Sequence, residues 1–400
     1  MHCCNELECI NSRRGRRRAA RGRLTGGLVA LLLAVGGGPV WGQDGLWSAG
    51  GGGSWANANN WDSGVIAGGT ESTATFGGGL YPLNGANLVF TLDAARTIGT
   101  LDVYGPAAAA SWTLNAGAGG PLTLDSSFDT PAVYVTPATL QLTLNVVVAG
   151  TVGLEKLNPG TLVLAATNTY TGGTWASAGA LLINGEITDP GSVIVTNATL
   201  GGSGTIFGPV FVQPGGILAP GGSPGTLTIS NALTLQPKST TVVAVNAATL
   251  AHDVVAGLTS VNYGGTLTVT NLAGAPAAGQ SFRLFSAAAA SGDFSGITPQ
   301  LAGGLRWRFD PASGTLSVVP TNLRPAFASL APPAASNLIF TVTNGVPGGT
   351  NYVLTATNLA TPRANWTRLL TNRFDAGGNL VFTSAIPASL PRRFYQLSAQ

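Results

Sequence analysis

Apolar residues along this chain arrive in short bursts. Leu162-Val163-Leu164, Leu181-Leu182-Ile183, Val193-Ile194-Val195, Val210-Phe211-Val212 and Leu227-Thr228-Ile229 begin at intervals of 19, 12, 17 and 17 residues. Each burst fits a short strand. Between them stand Asn184-Gly185, Pro190-Gly191, Gly201-Gly202, Pro214-Gly215-Gly216 and Pro220-Gly221-Gly222, the residues that turns require. Beyond the first forty or so residues no segment keeps a 3.6-residue apolar period for three turns, so helix is nearly excluded. Two all-β architectures produce such a rhythm. One is a hairpin sandwich; the other is a parallel β-helix whose coils of about twenty residues each carry two or three short strands. The uneven bursts and the small residues at their corners favour the β-helix. A single coil buries its apolar side chains only against the coils above and below, which explains why the pattern returns. About fourteen coils are expected at that coil length.

Composition agrees with a packed chain rich in turns. Of the 400 residues, 44% are apolar, 9% are charged and 57 are Gly without a three-residue period. The positive balance is local, because seven of the nineteen Lys and Arg residues lie between Arg13 and Arg23, just before the apolar run Leu28 to Val35. That order reads as a secretory signal over residues 1–42, with cleavage expected between Gly42 and Gln43. Twelve basic and fourteen acidic residues then remain, a net charge of −2. Nucleic acid thereby loses its main attraction and is not expected as a partner. Cys3, Cys4 and Cys9 all precede the expected cut, leaving neither a disulfide nor a thiol nucleophile. No later stretch has the length of a membrane helix, so an exported protein without a span is expected.

The segment Gly153-Leu154-Glu155-Lys156-Leu157-Asn158-Pro159-Gly160-Thr161-Leu162, then Asn168-Thr169-Tyr170-Thr171-Gly172-Gly173-Thr174 and Gly179-Ala180-Leu181, resembles the autotransporter-associated β-strand repeat. Asn158 and Pro159 depart from the small residues usual at their positions. The coils that follow, through Gly216-Ile217-Leu218-Ala219-Pro220-Gly221, look like the continuing coils of such passenger domains. The resemblance implies a right-handed parallel β-helix at the cell surface. For most members it implies no known chemistry. Farther on, Tyr352-Val353-Leu354, Trp366-Thr367, Phe374-Asp375-Ala376-Gly377-Gly378 and Arg393-Phe394-Tyr395 resemble a small C-terminal β-module on exported proteins of Verrucomicrobia-like bacteria. The expected organisation is a signal over 1–42, N-terminal coils and a cap over 43–140, and repeat-bearing β-helix over 141–320. A Pro-rich linker over 321–333 and a β-sandwich-like module over 334–400 complete it.

Chemistry is thin along the chain. Glycoside hydrolysis needs two carboxylates facing one groove, and no Asp-Asp pair, Gly-His-Gly or Asn-Thr-Asp stands after residue 42. His252-Asp253 could serve acid-base work, but neighbours on a strand face opposite sides, which favours a structural role. The same argument separates Asp93 from Arg96, three residues apart, whose expected relation is a surface salt pair. Gly201-Gly202-Ser203-Gly204 continues without the Asp of a calcium-binding repeat, so neither a metal nor a cofactor is expected. Trp47, Trp55 and Trp61, set among Asn, Ser and Gly, either plug the open edge of the first coil or offer flat faces to sugar rings. The edge argument favours the plug. The expectation is a structural or adhesive surface protein, ahead of a carbohydrate binder and a polysaccharide-degrading enzyme, with an extracellular polysaccharide or surface glycan as partner.

Overall fold

A computed structural model describes residues 42–222, 224–321, 324–334, 337–346, 348–375, 378–385 and 392–399. The expected signal therefore lies outside the described residues up to Trp41, while Gly42 and Gln43 lie at the start of the described chain. Gln43 exchanges two backbone hydrogen bonds with Gly68, at 2.8 and 3.0 Å. Apart from three single-turn 3-10 segments the described chain is β-structure. No helix among the described residues is long and apolar enough to cross a membrane.

The chain winds as a parallel β-helix. Its first face is an eleven-stranded parallel sheet running from Gly45–Trp47 to Ala290–Gly292, and its second is another of eleven strands from Gly53–Ser54 to Gly296–Thr298. A third face falls into two parts, Arg96–Ile98 to Val148–Ala149 and Thr167–Asn168 to Phe285–Ala287. Within each of these sheets neighbouring strands pair in parallel register from coil to coil. Leu142 pairs with Leu162, Leu162 with Leu181, Leu181 with Leu200 and Leu200 with Leu218, so identical side chains stack in a buried column. That column is the physical meaning of the repeated bursts.

There are eleven coils rather than about fourteen. The twenty-residue spacing holds in the middle, where Leu154, Thr174 and Val193 open successive strands of the first face, but Thr100 and Ala132 stand 32 residues apart. Loops between faces lengthen the outer coils. Parallel stacking also stops short of residue 320. Ser281–Arg283, Leu305–Asp310 and Thr315–Pro320 form an antiparallel sheet that closes the helix, burying Phe282, Trp307, Phe309, Leu316 and Val318 in its core. A solenoid end exposes apolar surface, and this sheet buries it, while Ala290–Gly292 and Gly296–Thr298 remain edge strands.

Two antiparallel three-stranded sheets follow, Ala326–Ala334 with Asn337–Thr343 and Leu380–Ala385, and Thr350–Ala356 with Thr367–Arg373 and Phe394–Ala399. They share a separate core built on Phe340, Val342, Val353, Phe374, Leu380 and Phe382. The segment read as a linker up to residue 333 is therefore largely a strand. Pro332 and Pro333 are tolerated because that strand is at a sheet edge and its register slips between Ala331 and Ala334.

Candidate functional site

The repeat residues occupy one coil and half of the next: Leu154–Leu157, Thr161–Leu164 and Thr167–Asn168 form three faces, then Thr174–Ala176 and Gly179–Ile183 start again. Alternation along Leu154–Leu157 turns Leu154 and Lys156 inward. Lys156 stands in register between Val133 below and Ala176 above, both buried. A fully buried ammonium needs partners, and Nζ donates to the carbonyl oxygens of Leu157, Asn158 and Ala178 at 2.8, 2.7 and 3.2 Å. Burial still pushes its pKa down to about 8. Asn158 adopts a left-handed φ of 65°, a conformation Asn tolerates better than most residues, and this aims its carbonyl at the lysine.

Asn168, also fully buried, works at the break in the third face. Its Oδ1 accepts from the Val148 amide of the coil below at 3.0 Å, and its Nδ2 donates to Ala166 O at 2.8 Å and to Glu186 O of the coil above at 3.0 Å. One side chain thus ties three coils. Two residues on, the buried Tyr170 hydroxyl shares a 2.7 Å hydrogen bond with Thr174 Oγ1, and burial raises its pKa. Thr171 is exposed, with its amide on Gly150 O at 3.0 Å. Gly172 and Gly173 turn the corner with φ of 98° and 91°, and the Gly173 amide donates to the buried Asp189 carboxylate at 2.9 Å. Gly160 and Gly179 make the remaining close approach, since a Cβ on Gly179 would sit 2.3 Å from Gly160 O. Thr161 lies half-buried on the second face beside Leu162.

The three tryptophans do not form a platform. Trp47 and Trp55 are 0% exposed and Trp61 is 2% exposed, packed around Phe76 and Phe90 with centroids about 5 Å apart, Trp47 stacked on Phe76 and the other pairs edge-on or tilted. Their indole N–H groups donate to Gly51, Ala67 and Trp55 carbonyls at 2.9, 3.2 and 2.8 Å. They fill the first of the described coils and leave no ring face for a sugar.

His252 and Asp253 serve different neighbours. The Asp253 carboxylate accepts from the Gly225 and Ala244 amides at 2.8 and 2.7 Å, bracing one coil against the next. Burial raises its pKa, against those two amide bonds. The His252 ring lies edge-on to Phe282, with Nδ1 2.8 Å from Leu250 O. Asp93 takes its hydrogen bond from the Ser54 hydroxyl, and Arg96 Nε is buried without a partner among the described residues, so the expected Asp93–Arg96 surface pair is not what these groups make. Among the described residues no cluster of three or more His, Cys, Asp or Glu could hold a metal. The clamp roles of Lys156 and Asp189 were missed by sequence reasoning.

Residues 154–183 match the passenger-associated-transport-repeat family. Over 83 residues the chain is 40% identical to an extracellular serine protease of Serratia marcescens, and over 81 residues it is 36% identical to the adhesin BmaC autotransporter of Brucella suis biovar 1. Each span is 20% of this chain but only 8% and 2% of those relatives, so the chain matches a small part of their length. The match to the passenger-associated-transport-repeat family thus falls on one segment of the parallel β-helix, the one with the buried lysine, the coil-spanning asparagine and the glycine corners.

Proposed function

We propose that this is an exported, non-enzymatic β-helix rod of the cell surface or extracellular space, with a structural or adhesive role. The observation that carries the reading is how the buried polar side chains of the repeat are spent. Lys156, Asn168 and Asp189 each hold backbone groups of adjoining turns. A surface rod needs this rigidity. The similarity to an adhesin supports the same role. The match to a serine protease spans 8% of that relative, against 2% of the adhesin, so neither likeness alone decides between the two roles. A serine-protease relay also requires a histidine hydrogen-bonded to both the serine and the aspartate, whereas Asp253 is committed to two backbone amides and the His252 ring to Leu250 and Phe282.

The test deletes the chain from a producing bacterium and restores it, scoring cell attachment to solid surfaces together with protease and glycanase activity of the medium. Loss of attachment that the restored chain reverses, with both activities unchanged, is expected. Unchanged attachment with a lost activity would replace this role with an enzymatic one.

A further inference from the structure

The closing sheet has two unlike faces. One plugs the helix with Phe282, Leu316, Trp307 and Phe309. Its other face is mostly polar, with Val319 at one end: Ser281, Ser317 and Arg308 lie across from one another, and two residues along the strands Arg283, Thr315 and Asp310 do the same. That polar face forms one wall of a cleft of about 670 Å³, whose other wall is the turns of the C-terminal module at Thr343–Gly345, Gly348, Phe374 and Asn379. The volume falls within the roughly 300–1,000 Å³ of small-ligand sites.

Arg308 lines the cleft, and Arg373 stands at its edge beside Gly348. A point one bond above the Gly348 Cα lies 3.1 Å from Arg308 Nη2 and 3.8 Å from Arg373 Nη2, and Arg373 Nε donates to Gly348 O at 2.9 Å. Among the described residues no hydrogen bond or ion pair at contact distance engages Arg308. Partial burial and the charges of Arg306 and Arg373 disfavour its cation, and only Asp310 favours it. Arg308, half-buried, and Arg373, exposed, are like charges held near one another, which an anion stabilises, and guanidinium forks match a carboxylate. Asp310 makes a simple anion a poor occupant. Its carboxylate accepts from Ser313 Oγ at 2.7 Å and has lone pairs left for a ligand hydroxyl. The hydroxyls of Ser281, Thr315, Ser317 and Thr343 and the Asn379 amide suit the same kind of ligand.

We infer that the cleft between the closing sheet and the C-terminal module binds an acidic saccharide, its carboxylate on Arg308 and Arg373 and its hydroxyls on Asp310 and the flanking hydroxyl side chains. This goes beyond the rod role and stands apart from it, since a rod without a glycan site would still support attachment.

Calorimetric titration of the full chain at low salt tests it, with trigalacturonate as probe and acetate, sulfate, neutral trigalactose and an aspartate-rich peptide beside it. Trigalacturonate is expected to bind, and the other four to bind at least tenfold more weakly. Arg373→Gln, an exposed position, and Arg308→Lys, which keeps the charge and loses the fork, are each expected to weaken trigalacturonate at least tenfold. Arg363→Gln, whose guanidinium bonds Ser398, is expected to leave it unchanged. Asp310→Asn separates a saccharide from a bare anion: it weakens the former and strengthens the latter. Absence of trigalacturonate binding, equal binding of sulfate or peptide, or binding indifferent to Arg308 and Arg373 would each overturn the inference. A thermal melt of each variant confirms that the fold survives.

Discussion

Asn168 holds three coils with one amide, so its removal is a sharp test of how the repeat works. In Asn168→Ala the Val148 amide and the carbonyls of Ala166 and Glu186 lose their partner in a buried place. Unmet buried groups cost about 1–3 kcal/mol each, less what relaxation recovers, so a loss on the order of 3 kcal/mol is expected in urea unfolding. Asn168→Asp keeps the acceptor but loses both donors and buries a charge, and it is expected to cost more than alanine. Lys156 makes a prediction in pH. Its ammonium has a pKa of about 8 in the folded chain against an ordinary 10.5. The unfolded chain therefore holds this proton more tightly, and stability rises with pH between those values. The slope contributed is at most about 1.4 kcal/mol per pH unit. Subtracting the curve of Lys156→Met isolates it, because methionine fills a similar volume without a proton. A difference that stays flat over that window and falls only above pH 10.5 would mean that the three carbonyl bonds outweigh the loss of water.

Coils depend on their corners as much as on their strands. Gly179 combines a φ of 67° with no room for a Cβ beside Gly160 O, so Gly179→Ala is expected to cost about 2 kcal/mol or more in the same unfolding experiment. Gly50 has open space around it and no left-handed φ, and Gly50→Ala is expected to stay within about 0.5 kcal/mol. This contrast also explains what could be read in the sequence. Bursts such as Leu162-Val163-Leu164 and corners such as Gly172-Gly173 are set by local period and local φ, and both were visible without coordinates. The inward lysine was not, because Glu155-Lys156 looks like a solvated pair until register places Lys156 between Val133 and Ala176. The coil number was not, because insertions such as the one between Thr100 and Ala132 leave no apolar period. The cleft arises from the closing sheet and the C-terminal module together, and Arg308 and Arg373 stand too far apart in sequence for any motif to join them.

Two hydrophobic cores divide the folded chain. The rod's core runs from Trp47 to Val318, and the six residues that build the module's core belong to none of it. Between them lies the cleft, and the two cores share no residue. A solenoid unfolds through contacts between neighbouring coils, whereas a small module stands on its own few buried rings. Scanning calorimetry is therefore expected to show two transitions, with the smaller enthalpy at the lower temperature, because unfolding enthalpy scales with size at about 0.7 kcal/mol per residue near 60 °C. Substitutions assign them. Val342→Ala, deep in the module, should lower the first transition and leave the second in place. Trp55→Ala removes a ring on which the first coil packs, costs about 3–5 kcal/mol and should lower the second alone. Independence follows from distance and the absence of shared neighbours, the conditions under which stability changes add. A single transition that both substitutions shift would show that the cleft's two walls unfold as one, and acidic saccharide bound between them would then raise the melting temperature of the whole chain rather than tie one wall to the other.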